Sequence, residues 1–422
     1  MASSSLNPLA VNTTNNRAIV AQRRNQRVRA DTPTVTSASS PNLIHFNLSP
    51  NNIDLSSFYV TWTQSIINDA TTPTTYFTFL HATSAIARVV FRVAGQVVLD
   101  LQGQALFRNA LYNAFSPATA ASAMDVLEST TYGGASTSAN KITYDATART
   151  VVYRPFEAAF ETALLPLELI GQQAELELYL SPVSDVLNTG ATGTPANIGY
   201  QLANCTAVYD VLTLTPSYTA QLKTAAGVGN LRCLFKQVTP FTSTFQSTSY
   251  SQSAPVQTKS LRQLFCVLRN ASNLGASNAD VLATYVNGLS SVQFRINGTL
   301  FPAQPLDCSA SPPTDVYFEL LRCQHAWSDE PGLEENSFVF TSTSGATMNF
   351  SGITGSKFMI GIDVSTQVDS DVVAGINTVN SAAPVIVEYT MSSTPSYAVR
   401  SDVFCVTDRI LVIGSNGFQI LV

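Results

Sequence analysis

The sequence predicts an all-β protein of two β-sandwiches in tandem, with few short helices. Three observations carry this. Past residue 45, apolar residues alternate with polar ones in short runs. Gly, Asn, Ser and Thr clusters separate those runs, which is the punctuation of strands and turns. With 422 residues, either half of the chain is long enough to bury its own core.

In chain order, Leu43-Ile44-His45-Phe46 reads as a strand. Val89-Val90-Phe91 and Val97-Val98-Leu99 flank Gly95-Gln96 and read as a hairpin. Leu106, Phe107, Ala110, Leu111 and Phe115 recur at helical spacing, so a short helix is expected over residues 104–115. Leu176, Leu178 and Leu180 alternate with Glu175, Glu177 and Tyr179, the period of a half-buried strand. A weaker helical pattern spans 218–226, inside the weakest junction of the chain at 215–230. Val292, Phe294 and Ile296 run into Asn297-Gly298, the strongest short hairpin signal, because a type I′ turn needs positive φ at both central residues. Residues 358–362 and 385–389 are further strands, and Asn416-Gly417 joins strands at 410–413 and 418–422. Polar loops are expected at 116–123, 132–140, 188–197, 242–253 and 309–314. The resulting division is an arm over 1–45, a first sandwich over 46–218 and a second over 219–422.

Charged residues make up 12% of the chain, against roughly 25% in an ordinary soluble protein. Lysine occurs only at Lys141, Lys223, Lys236, Lys259 and Lys357. A surface of hydroxyls and amides suits a protein that packs against copies of itself, since few ions need desolvating. The net charge of −6 is uneven. Arg17, Arg23, Arg24, Arg27 and Arg29 stand against Asp31 in the first 45 residues, a net of +4 that leaves −10 on the body. That segment has no apolar period and reads as a disordered, mildly basic arm. Its arginines are the candidate contacts to an inner partner such as nucleic acid.

Little in the sequence carries chemistry. No P-loop, GxSxG, HExxH, EF-hand or dinucleotide fingerprint is present. His45, His81 and His325 are the only histidines, and the first two lie in strand-like runs. Cys308, Cys323 and His325 lack the regular spacing and fourth ligand of a zinc site. Asp329, Glu330, Glu334 and Glu335 form an acidic loop without calcium-loop spacing, readable as solvated or as a cation site between subunits. Glu157, Glu161 and Glu168 have no fixed separation that would make a glycosidase pair. Trp62 and Trp327 are too few for a sugar platform. No catalytic residue, cofactor or metal is expected. The six cysteines show no CxxC and are expected to be reduced and mostly buried. No apolar run reaches a membrane-spanning length, and the N-terminus lacks a secretory-type apolar segment, so assembly inside a host cell without signal-peptide export is expected.

A set of segments then lines up in order. The first half carries Ser84-Ala85-Ile86-Ala87-Arg88-Val89-Val90-Phe91, then Leu111-Tyr112-Asn113, Tyr153-Arg154-Pro155-Phe156, Leu164-Leu165-Pro166-Leu167-Glu168-Leu169 and Gln201-Leu202-Ala203-Asn204-Cys205. The second carries Lys259-Ser260-Leu261-Arg262-Gln263-Leu264-Phe265, Phe294-Arg295-Ile296-Asn297-Gly298, Phe301-Pro302-Ala303-Gln304-Pro305 and Asp408-Arg409-Ile410-Leu411-Val412-Ile413. In this order and spacing, over residues 46–422, the chain resembles the double jelly-roll major capsid proteins of small eukaryotic double-stranded DNA viruses, of polinton-like virus and virophage type.

The resemblance implies two eight-stranded jelly rolls side by side and a homotrimer forming a pseudo-hexameric capsomer that tiles an icosahedral shell. It implies neighbouring capsomers, penton and other minor capsid proteins as partners, a place in the virion capsid, and an inward arm near genome or inner membrane. Two alternatives stand beside it. One is a single-jelly-roll viral coat protein with a projecting domain. The other is a jelly-roll glycan-binding protein or glycoside hydrolase.

Overall fold

The computed structural model describes residues 20–38, 42–67, 76–79, 82–115, 142–143, 149–156, 159, 164–188, 199–228, 231–274, 284, 288–309, 314–325, 359–365, 375–379, 381, 384–414 and 417–421. The first half holds β1 (Val20–Arg29), β2 (Val35–Thr36), β3 (Leu43–Leu48), β4 (Asn52–Ile67), β5 (Tyr76–Phe79), β6 (Ile86–Val93), β7 (Gln96–Gln102), β8 (Ile142–Thr143), β9 (Arg149–Tyr153), β10 (Leu164–Pro166), β11 (Ala174–Leu180), β12 (Leu187–Asn188) and β13 (Gly199–Leu214). After a helix at Pro216–Gly227, the second half holds β14 (Leu231–Phe245), β15 (Ser249–Ala254), β16 (Leu261–Asn270), β17 (Leu289–Ile296), β18 (Thr299–Asp307), β19 (Ile360–Asp363), β20 (Val385–Met391), β21 (Val399–Gly414) and β22 (Gly417–Leu421).

The pairing order is the same in both halves. One sheet runs β1-β13-β4-β10 and the other β3-β11-β6-β7; in the second half these become β14-β21-β16-β19 and β15-β20-β17-β18. Counting the eight main strands of each half in chain order, both read 1-8-3-6 and 2-7-4-5. That is the double Greek key of a jelly roll, present twice. A single jelly roll with a projecting domain does not fit this order. β2 and β9 extend the first sheet, β22 extends the third, and β12-β5-β8 forms a small separate sheet.

Local chemistry explains the elements. Leu176, Leu178 and Leu180 are buried while Glu175, Glu177 and Tyr179 are half-buried, as their alternation requires. Asn297 and Gly298 take φ of 50° and 83° and close the β17–β18 hairpin from Ile296 to Thr299. In the β6–β7 hairpin the turn is Ala94-Gly95, with φ of 51° and 76°, one residue earlier than the expected Gly95-Gln96. β21 and β22 pair as expected from Ile410–Leu421 to Gly414–Gly417, and Asn416 lies outside the described residues. The helix at Gln104–Phe115 also matches its expectation.

Two expectations fail. The arm was to span 1–45, but β1 pairs with β13 from Val20 to Arg29, and β3 starts at Leu43. Among the described strands β1 is an edge strand paired with β13 alone, and its side chains stay largely exposed. Edge placement supplies backbone hydrogen bonds without any apolar period, which is why the sequence pattern reads as disorder. The second is the loop expected at 242–253, which is largely β14 and β15. The sequence reading has no helix at Thr314–His325, whose first residue lies in the loop expected at 309–314. The loops expected at 116–123 and 132–140 lie outside the described residues.

Candidate functional site

The outer faces of the two long sheets differ in how deeply they are buried. In the second half, Leu264 and Cys266 on β16 face the sandwich core with Val403 and Cys405 on β21. Phe265, Val267, Phe404 and Val406 point the other way, yet all are buried too. The first sandwich covers Phe265 and Phe404, and the Thr314–His325 helix of the second half packs beside them, where Gln263 donates to the Cys323 carbonyl at 3.2 Å. The ring of Phe107, on the Gln104–Phe115 helix, lies 4.8 Å from Phe404 and 5.6 Å from Phe265. Gly103 enters that helix at φ 63°, and a Cβ there would meet Phe404 Cε1 at 3.2 Å and Pro240 Cβ at 3.6 Å. The Lys236 backbone N–H donates to the Ala159 carbonyl across the same seam at 2.6 Å.

The seam also holds charge. Asp402 accepts from Arg269 Nη2 at 2.8 Å and from Arg400 Nε at 3.1 Å, with its own side chain 3% exposed. Asp185, from the first half, lies near enough to feel both arginines, although burial dominates and raises its carboxyl pKa. Asp408 accepts from Ser260 Oγ at 2.7 Å and pairs with Arg262 at 3.5 Å. Covered on both faces, β16 is buried from Leu261 to Arg269, so it shows no two-residue period in its burial.

The corresponding face of the first half is less deeply covered among the described residues. Phe58, Val60 and Trp62 on β4 are buried, while Tyr59, Thr61 and Thr63 between them are only half-buried. Strand register places Arg29, Thr206 and Thr61 in one row of the first half, and Pro240, Phe404 and Phe265 in one row of the second. Of the arginines expected to contact an inner partner, Arg23 is tied to Asp210 and to Asp54. Arg24, Arg27 and Arg29 are exposed on β1 and make no ion pair among the described residues. Arg17 lies outside the described residues.

The remaining candidates disperse. Trp62 is buried with its ring 5.7 Å from Tyr153. Glu168 accepts from Asn52 Nδ2 at 2.7 Å, and Glu157 and Glu161 lie outside the described residues. So do His81, Trp327 and the acidic loop at 328–335. Cys308 and Cys323 are buried, and nothing is described of the His325 side chain. The six cysteines are free and buried, as expected.

Among the described residues, the one group that comes within metal-ligand reach is His45, Glu175 and Glu177, with ligand atoms within 4.8 Å. Two of the three have partners in the chain. His45 Nδ1 meets Asp31 Oδ2 at 2.6 Å. Glu177 accepts from Arg92 Nε on one oxygen and from the Tyr179 hydroxyl on the other, both at 2.9 Å. His45 and Glu177 are thus held in a polar ladder along β3-β11-β6, with Glu175 Oε2 4.0 Å from His45 Nε2.

The seam residues are what the sequence reading missed. The signal available was an internal repeat: Phe91-Arg92-Val93-Ala94-Gly95 and Phe294-Arg295-Ile296-Asn297-Gly298 occupy the same hairpin of the two halves. Even their ion pairs correspond, Arg92 with Glu177 and Arg295 with Glu388.

No protein-family model and no curated protein matches the sequence. Solved structures do match along nearly its whole length. The Faustovirus major capsid protein superposes with a TM-score of 0.59 at 12% identity, over 96% of this chain and 92% of that one. The PBCV-1 virus capsid gives 0.62 at 11%, over 97% and 98%. The chain has the double jelly-roll fold of these capsid proteins. The Sputnik virophage structure shares this double jelly-roll fold with a TM-score of 0.55 at 12% identity, over 98% and 91%. At such identities the likeness concerns the fold, and no residue role passes with it.

Proposed function

We propose that this chain is a major capsid protein whose trimers form pseudo-hexameric capsomers of an icosahedral double-stranded DNA virus shell. The observation that carries the reading is the duplicated jelly roll, complete in both halves and shared end to end with capsid proteins of such viruses. Duplication gives a three-fold assembly a six-fold outline, so that each side meets a neighbour. Low charge keeps contacts between capsomers modest, and modest contacts let misdocked capsomers dissociate before closure.

The reading places the protein in the virion capsid, in a structural rather than a catalytic role. Its first partner is itself, followed by neighbouring capsomers and by penton and other minor capsid proteins. Contact with genome, inner membrane or a minor protein is assigned to residues 1–19, which include Arg17, because Arg23, Arg24, Arg27 and Arg29 belong to a strand of the first jelly roll.

Native mass and negative-stain imaging of the purified protein test this. Three chains per particle with a hexagonal outline are expected. A monomer at high concentration would overturn the reading. Removal of residues 1–19 is expected to leave trimers intact and to reduce shell yield.

A further inference from the structure

Strand register brings together three metal-ligating side chains that no sequence motif links. Ile44, Phe46 and Leu48 turn into the core of the first jelly roll, so His45 and Asn47 take the other face of β3. Leu176 and Leu178 do the same on β11 and leave Glu175 and Glu177 on that face. His45 then stands opposite Glu177, and Asn47 opposite Glu175. His45, Glu175 and Glu177 are all half-buried.

The state of the imidazole follows from its partner. The Asp31 carboxylate, 2.6 Å from Nδ1, can only accept, so Nδ1 carries the hydrogen and the neutral ring keeps its lone pair on Nε2. Asp31 is itself held. Its backbone N–H donates to the His45 carbonyl at 3.0 Å, and Asn47 Nδ2 donates to its two carboxylate oxygens at 3.2 and 3.1 Å. Nε2 is thereby turned to Glu175 Oε2, 4.0 Å away. Two acceptors face each other, and among the described residues Glu175 accepts no hydrogen bond. Charge points the same way. Asp31, Glu175 and Glu177 bring three negative charges, and Arg92, bound to Glu177, returns one positive. Arg88 is committed to Asp100 by hydrogen bonds of 2.7 and 2.6 Å. A divalent cation balances what remains.

We propose that His45 Nε2, Glu175 and Glu177 bind a zinc ion, with Asp31 as the carboxylate that orients the histidine. An imidazole beside carboxylates suits zinc, whereas calcium and magnesium prefer oxygen ligands alone. A carboxylate on the far nitrogen fixes the tautomer and makes the ligating nitrogen more basic. Zinc sits about 2.0–2.2 Å from such ligands, which puts their atoms roughly 3.4 Å apart around it. The atoms here lie within 4.8 Å of one another, and a small rotation of the glutamate side chains closes the difference. Glu177 keeps Arg92 and Tyr179, one on each oxygen, because a carboxylate offers about four lone-pair sites. The fourth position is left to water. The ion ties the edge strand β3 to β11 and, through Asp31, to the segment that follows β1. One chain supplies every ligand, so the site does not depend on the capsomer reading.

Calorimetric titration of the chelator-treated full chain, without a histidine tag, with zinc chloride tests the proposal, and cobalt(II) absorption is the second measurement. One zinc per chain is expected, with a melting temperature raised by a few degrees when zinc is in excess of its Kd. Cobalt(II) is expected to give the intense visible bands of a four-coordinate site. Asp31→Ala is expected to weaken zinc binding by about 10–100-fold, the effect of losing an orienting partner, and His45→Gln and Glu175→Gln by at least as much. His81→Gln and His325→Gln are expected to leave it unchanged. If one ligand variant fails to fold, the other decides. A wild type that takes up no zinc, zinc binding that survives His45→Gln or Glu175→Gln, or zinc displaced by an equal concentration of calcium overturns the proposal and leaves the capsomer reading standing.

Discussion

The Phe107 ring rests on the Phe404 ring at 4.8 Å, although the two belong to different jelly rolls. Phe404 stands opposite both Phe265 and Pro240 in the sheet, so one aromatic knob from the first half meets a three-residue apolar platform in the second. The two halves are therefore joined by a packed seam as well as by the Pro216–Gly227 helix in the chain between them.

Phe107→Ala is expected to cost about 3–5 kcal/mol, the usual range for emptying a buried phenylalanine site. Gly103→Ala is expected to destabilise as well, by about 1 kcal/mol or more, because its φ of 63° disfavours a side chain and Phe404, 3.2 Å from a Cβ there, would have to give way. Urea unfolding followed by fluorescence measures both. A Phe107→Ala cost under about 1 kcal/mol would show that the seam is loosely packed.

Asp402→Asn is expected to destabilise by about 3–5 kcal/mol, because the buried Arg269 would lose the carboxylate it pairs with, whereas Arg400, 34% exposed, loses less. Glu388→Gln, at the more exposed Arg295 pair, is expected to cost under about 1 kcal/mol. Thermal melting of the two variants side by side compares them. Equal losses would refute the difference in burial.

Acid is expected to loosen β1. Hydrogen bonds from Asn25 and Arg23 hold the Asp210 carboxyl below its ordinary pKa of 3.8. A depressed carboxylate pKa adds stability that is complete above the unfolded value and is lost as pH falls through the folded one. Hydrogen exchange of residues 20–29 should therefore be protected at neutral pH and accelerate below about pH 4, relative to β4. Asp210→Asn is expected to flatten that dependence. Exchange that accelerates equally in β1 and β4 would point instead to global unfolding.

Burial pushes the thiols of Cys205, Cys233, Cys266 and Cys308 up to about 12, and those of Cys323 and Cys405 well above their ordinary value. A thiol reagent at pH 8 is thus expected to find no reactive cysteine in the native protein and six after denaturation. Fast labelling of the native chain would contradict this.

Much of the fold is legible before any coordinates, because it rests on local rules. Period-two alternation marks β11 and β17, Asn-Gly marks the β17–β18 turn, and helical spacing marks residues 104–115. Each depends on residues a few positions apart, whose side-chain directions the backbone geometry dictates. β1 and the faces of β16 escape such reading. β1 is ordered by hydrogen bonds to a strand more than 170 residues away, and hydrogen bonds between backbones leave no mark on side-chain pattern. β16 is buried on both faces because a second domain lies across it. Which of two corresponding sheet faces is buried more deeply, and which less so, with Arg27 and Arg29 on it, depends on how the two jelly rolls pack. That packing is decided by contacts such as Phe107 on Phe404, between residues far apart in the chain.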